Sequence, residues 1–182
     1  MNKPDIDLTH IIRWSSQFRP DVPDINRDGK ITEADNNVAC GWTCKQILKE
    51  SGFNPPDSSG KVDAVVYGKD KALVKAPTWQ EAVDTLHANC DAHKPTIVGV
   101  NRGAMNVGNL NPATNHYVVI VGRRYNIITG KYEYPFYDVG THHQELGTHA
   151  SQFFALDGRG IWSGASRYAN AIYTITEVRK TA

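Results

Sequence analysis

Cys40, His116, Asp138 and Gln17 together offer a thiol, an imidazole, a carboxylate and an amide. A thiol is a useful nucleophile only as thiolate. The first turn of a helix favours that anion through its unpaired backbone N–H groups and its dipole. Cys40, Cys44, Ile47 and Leu48 recur at helical spacing, with Asn36 or Asn37 as a start and Gly52 as a stop, so Cys40 falls in a first turn. A nearby imidazole must then share the proton, and a third group must fix the ring's tautomer. His116 opens an apolar strand and Asp138 ends the next. If these two strands pair across a hairpin at Thr129 and Gly130, the imidazole and the carboxylate meet. The Gln17 side chain could hold an oxyanion together with the Cys40 backbone N–H.

A second constellation lies between Gln17 and Cys40. The run Asp24, Asn26, Asp28, Gly29, Lys30 and Asp35 fits the calcium-loop template. It has oxygens at positions one, three and five, Gly at six, a backbone carbonyl at seven and a carboxylate at twelve. Ile31 supplies the apolar eighth residue, and Asp35 replaces the usual bidentate Glu, as in dockerin-like loops. The expectation is an insertion over residues 24–35 that binds structural Ca²⁺ and holds Gln17 and Cys40 in register. Asp, Asn and Gly also fill ordinary turns, which is the plainer alternative.

Stepping outward from these residues, the pattern gives the elements that must carry them. Asp7 to Phe18 has helical spacing behind a possible Asp cap, as a short helix or a turn. Residues 19–37 form a loop, and 61–75 is ambiguous between strand and helix. Thr78 and Glu81 have capping-box spacing before a helix running to about His93, in which Trp79, Val83, Leu86 and Cys90 share a stripe. Thr96 to Val100 reads as a buried strand, and 101–115 as a long Gly- and Asn-rich loop bordering the cleft. His116 to Arg123 reads as one strand, apolar on both faces and therefore central. Strands at Tyr132 to Val139 and Ala171 to Val178 follow, with a turn at Asp157 to Gly160. Helices first and an antiparallel sheet after them predict an α+β fold in a single domain spanning residues 1–182.

The stretches Trp14-Ser15-Ser16-Gln17-Phe18, Cys40-Gly41-Trp42-Thr43-Cys44, His116-Tyr117-Val118-Val119-Ile120-Val121-Gly122 and Tyr137-Asp138 resemble, in order, the motifs of bacterial C39-like peptidases of the papain-like superfamily. The resemblance runs from about Trp14 to Gly140. It implies a papain-like fold with N-terminal helices packed on an antiparallel sheet, Cys40 as nucleophile, His116 as base, Asp138 as its orienting group and Gln17 as oxyanion donor. The family usually has Pro where Trp42 stands, and its Gln lies closer to the Cys. The activity implied is cleavage of an amide in a peptide or in peptidoglycan peptide through a thioester, as an exported antibacterial effector with an inhibitor or immunity protein as a conceivable partner.

The rest of the chain narrows the alternatives. A net charge of +1 with interspersed acids and bases gives no basic face for nucleic acid. No apolar run reaches membrane-spanning length, and Met1 to His10 lacks the plan of a secretory signal. Action outside the producing cytoplasm would then need another route or a trimmed precursor. Of the three cysteines, Cys44 is the rival nucleophile one turn on but reads better as core, and Cys90 as a small buried hydrophobe. The remaining histidines, His10, His87, His93, His142, His143 and His149, read as surface or packing residues. Two other functions stay open: a catalytically silent, calcium-stabilised binding module, and a deamidase or acyl transferase using the same thiol chemistry.

Overall fold

The computed structural model describes residues 3–57, 59–103 and 111–181. Four helices are present among them: α1 (Glu33–Val38), α2 (Cys40–Glu50), α3 (Trp79–Asp91) and α4 (Gln144–Gly147). The strands are β1 (Ile6–Asp7), β2 (Lys61–Asp63), β3 (Val65–Tyr67), β4 (Leu73–Lys75), β5 (Thr96–Asn101), β6 (His116–Ile120), β7 (Gly122–Asn126), β8 (Lys131–Asp138), β9 (Phe153–Leu156), β10 (Trp162–Ser166) and β11 (Ala171–Arg179).

This corrects the expected α+β papain-like architecture. The main sheet runs β1-β7-β8-β6-β5-β11-β10-β9, and β9 also pairs with β8, so six strands close into a barrel. The helices are short, and the first begins only at Glu33 rather than forming an N-terminal layer. Asp7 to Phe18 is not a helix. Ile6 and Asp7 pair with Arg123 and Gly122 as an edge strand, and turns follow. Two or three apolar residues at helical spacing do not outweigh the interruptions at Thr9, Ser15 and Ser16 in so short a segment.

Closure of the barrel explains why the central strands are apolar on both faces. Val98, Val100, Val118, Ile120, Tyr134, Phe136, Phe154, Trp162, Tyr173 and Ile175 make one core. Ile97, Val119, Val121, Tyr137 and Val139, alternating with them, make a second core with Ile6, Leu8, Ile12 and the buried face of α2. β6 lies between β5 and β8, as expected of a central strand. It ends at Ile120, and β7 restarts at Gly122, where the Ile6 carbonyl approaches too closely for any side chain.

Other expectations hold with local changes. α3, β5, β8 and β11 fall where the pattern puts them, and Gly130, at φ +67°, makes the turn between β7 and β8. Thr78 precedes α3 but makes no cap. Its hydroxyl donates instead to the Asp63 carbonyl at 2.7 Å, tying α3 to β2. The ambiguous 61–75 region is three short strands, β3 and β4 forming a separate ribbon. Residues 104–110 of the loop expected to border the cleft lie outside the described residues.

Candidate active site

The register of β6 against β8 places the pair the sequence singled out. Val118 lies opposite Asp138, and His116 is two residues before Val118 on the same face, so His116 and Asp138 are diagonal neighbours. Their side chains meet: His116 Nε2 donates to Asp138 Oδ1 at 2.8 Å, both buried. The other ring nitrogen, Nδ1, is left for the Cys40 thiol, which interacts with the imidazole from the first residue of α2. α2 packs on β6, and Gly41 permits it, since a Cβ there would lie 3.3 Å from the Tyr117 ring.

The electrostatics of the three groups agree with one another. Burial raises the Cys40 thiol. The hydrogen bond to His116, its charge and the backbone N–H groups of Tyr117 and Gly41 more than reverse this, leaving it below its ordinary value. Burial alone would lower His116, but Asp138 and then Cys40 push it up to about 9. Asp138, which burial would raise, is brought down to about 2, first by His116 and then by the Gly140 N–H and Ser166. The arrangement favours a thiolate beside an imidazolium held by a carboxylate. Cys44, fully buried, has its thiol raised well above ordinary by burial, and Cys90 is pushed up to about 11, so neither is a nucleophile near neutral pH.

Asp138 is held more thoroughly than the sequence suggests. Oδ1 accepts the Gly140 N–H at 2.9 Å besides the imidazole, while Oδ2 accepts the hydroxyls of Ser166 and Tyr173, each at 2.9 Å. These donors fill the carboxylate's lone-pair directions. Ser166 closes β10 and Tyr173 lies on β11, so barrel closure delivers both. Sequence reasoning missed them: Tyr173 showed only as an alternating position on the last strand, and Ser166 gave no signal. Trp14 Nε1 donates to the Asp138 backbone carbonyl at 2.8 Å, beside Gly147.

Gln17 is buried between the same elements. Its backbone N–H donates to the Val139 carbonyl at 2.8 Å, and its Nε2 donates to the Asn36 carbonyl at 3.0 Å. Its Oε1 is buried without a hydrogen-bond partner. The residue thus bridges the end of β8 through its backbone and α1 through its side chain, with one amide N–H not used by Asn36.

The acidic loop forms the turn of the template but not its whole donor set. Asp24 accepts the N–H groups of Asp28 and Gly29 at 3.2 and 2.9 Å, Asn26 accepts Asp28 N–H at 3.0 Å, and Asp28 accepts Lys30 N–H at 2.9 Å. Gly29 has φ +84°, as the sixth position requires. Asp35 differs. Its Oδ1 accepts the N–H groups of Ile25 and Asn26 at 2.7 and 3.0 Å, and its Oδ2 accepts N–H and hydroxyl of Thr32 at 2.9 and 3.3 Å. In this arrangement the twelfth carboxylate staples the loop to α1 and has no lone pair directed at an ion. No group of three or more His, Cys, Asp or Glu side chains able to hold a metal occurs among the described residues.

Comparison with family models, with curated proteins and with solved structures finds no match.

Proposed function

We propose that this protein is a cysteine hydrolase that cleaves an amide bond in a peptide or peptidoglycan peptide through a thioester on Cys40. The observation that carries the reading is the array in which the Cys40 thiol, at the start of α2, is electrostatically coupled to the His116 ring, whose Nε2 bonds Asp138 at 2.8 Å. The order of motifs shared with C39-like peptidases is what points to a peptide amide.

In this mechanism the Cys40 thiolate adds to the amide carbonyl, and the oxyanion is received by the Cys40 backbone N–H and the remaining N–H of Gln17. Collapse breaks the C–N bond, and the His116 imidazolium protonates the leaving amine. The neutral ring then takes a proton from water as water adds to the thioester, and a second collapse releases the acid and the thiolate. Asp138 fixes the ring so that Nδ1 faces sulfur, and stabilises its charge without accepting the proton.

Calcium enters only as a proposed structural ion. Asp24, Asn26, Asp28 and the Lys30 carbonyl are the donors that fit, and Asp35 would have to exchange its backbone bonds for the ion. No step of the chemistry passes through it.

The test is incubation of wild-type protein and Cys40→Ser with peptides and peptidoglycan fragments, followed by mass spectrometry. The expected result is new amine and acid termini with wild type alone, and an acyl adduct on Cys40 trapped by acid quench. Absence of both products and adduct across a broad peptide and peptidoglycan panel would count against the hydrolase reading. An adduct that passes to an added amine in place of water would instead favour a transferase.

A further inference from the structure

A cavity of about 540 Å³, of the size of small-ligand clefts, opens beside the first turns of α2. It is bounded by Gly41 and Trp42, the two residues after Cys40, and by Tyr117, the residue after His116, whose N–H also bonds the Cys40 thiol. Ile97 lines its apolar part, and the Asp24–Asp35 loop contributes Asp24, Ile25 and Arg27. Cys40 and His116 do not themselves line it, so the cavity lies one residue along the chain from each of them.

Its charge is one-sided. Arg27, Lys45 and Arg179 line it against a single carboxylate, Asp24. Asp24 is turned to the loop's own Asp28 and Gly29 N–H groups. Arg179 is fixed against the Tyr117 hydroxyl at 3.0 Å and paired with Glu177 at 2.7 Å, so its charge is largely balanced. Arg27 and Lys45 form no ion pair among the described residues, although Asp57 senses the charge of Lys45. Two cations without a close partner, over an apolar base and flanked by Trp42 and Tyr117, make a receptor for an anion attached to an organic chain.

We propose that this cavity is the specificity pocket of the site, and that it selects peptides carrying a carboxylate within three residues of the scissile amide. The inference rests on the cysteine-hydrolase reading. A Lys or Arg side chain in the same place meets like charge and is rejected, while a neutral amide fits but gains no ion pair.

The experiment uses tripeptidyl chloromethyl ketones that alkylate Cys40 and differ only by Glu or Gln at the first, second or third residue from the reactive group. Rates are measured at one calcium concentration on wild type, Lys45→Met and Arg27→Asn, the last chosen because Arg27 has φ +61°, which Asn tolerates. Iodoacetamide labelling of Cys40 at pH 6 is run on each protein as a check of the nucleophile and fold. The expected result is a preference of at least ten-fold for Glu at one position, shrinking below three-fold in at least one variant and in 1 M salt. Equal rates for Glu and Gln at all three positions, or a Glu preference that both variants keep, overturn the pocket while iodoacetamide labelling leaves the nucleophile standing. Failure of wild type to react with iodoacetamide at pH 6 overturns the nucleophile, and the pocket's role with it.

Discussion

Replacing Asp138 with Asn tests the central pair because it keeps the shape of the side chain and removes its charge. The lift of His116 from its ordinary 6.5 to about 9 corresponds to a preference of about 3 kcal/mol for the protonated ring, shared between Asp138 and Cys40, with Asp138 the larger contributor. In Asp138→Asn that contribution goes while burial remains, so the ring becomes neutral near pH 7 and the thiol loses its counter-ion. The Asn amide also turns an N–H₂ group toward donors that now meet a carboxylate, since Gly140, Ser166 and Tyr173 all donate to Asp138. The assay is the rate of Cys40 alkylation by iodoacetamide from pH 4 to 10, with each cysteine followed by mass spectrometry. An ordinary thiol is only about 0.3% thiolate at pH 6. Wild type should exceed a reference thiol more than ten-fold at that pH, and the variant should lose most of the excess. The sign of the linkage follows: imidazolium is retained below about pH 9, so catalysis that needs its proton falls above that value while alkylation does not. Coincident alkylation profiles in wild type and Asp138→Asn, both rising only above about pH 8, would refute the reasoning.

Three further outcomes are expected. Tyr173→Phe removes one donor from buried Asp138, a bond to a charged group of about 1.5–3 kcal/mol, so the Asp138 carboxyl should rise by roughly one to two pH units and the fast Cys40 alkylation that depends on its charge should be lost sooner on the acid side; an unchanged acid side would reduce Tyr173 to packing. Gly147→Ala brings a Cβ to 2.6 Å from Trp14 Cε2 and 2.7 Å from the Asp138 carbonyl, and should lower Tm in thermal unfolding by roughly 3–10 °C together with slower Cys40 alkylation; an unchanged Tm would contradict the packing of α4 there. If the acidic loop binds calcium, Ca²⁺ at 100 times its Kd should add about 2.7 kcal/mol and raise Tm by about 5–10 °C, reversed by EDTA, whereas identical melting in Ca²⁺ and EDTA would assign the loop to its own carboxylate and backbone bonds.

The features legible along the chain were those with local partners. The helix opened by Cys40 followed from the spacing of Cys44, Ile47 and Leu48, whose burial is a property of one helical face. The meeting of His116 and Asp138 followed because β6 and β7 run on almost continuously and the turn at Gly130 folds both onto β8, which sets the start of β6 beside the end of β8. Asp24 to Lys30 were legible as a turn because Asx bonds reach only two to five residues along the chain. The rest depended on contacts between strands far apart in the chain. An α+β layering is consistent with the same strands, and closure depends on β9 pairing with β8 at Tyr134 and Pro135, a contact that no periodicity encodes. That closure, in turn, brings Ser166 and Tyr173 to Asp138 across separations of 28 and 35 residues. Asp35 was decided within its own loop, where the template specified a ligand and the backbone N–H groups of Ile25, Asn26 and Thr32 took the carboxylate instead. A hydroxyl or a carboxylate offers the sequence reader its chemistry, but its partner is fixed only when distant strands close around it.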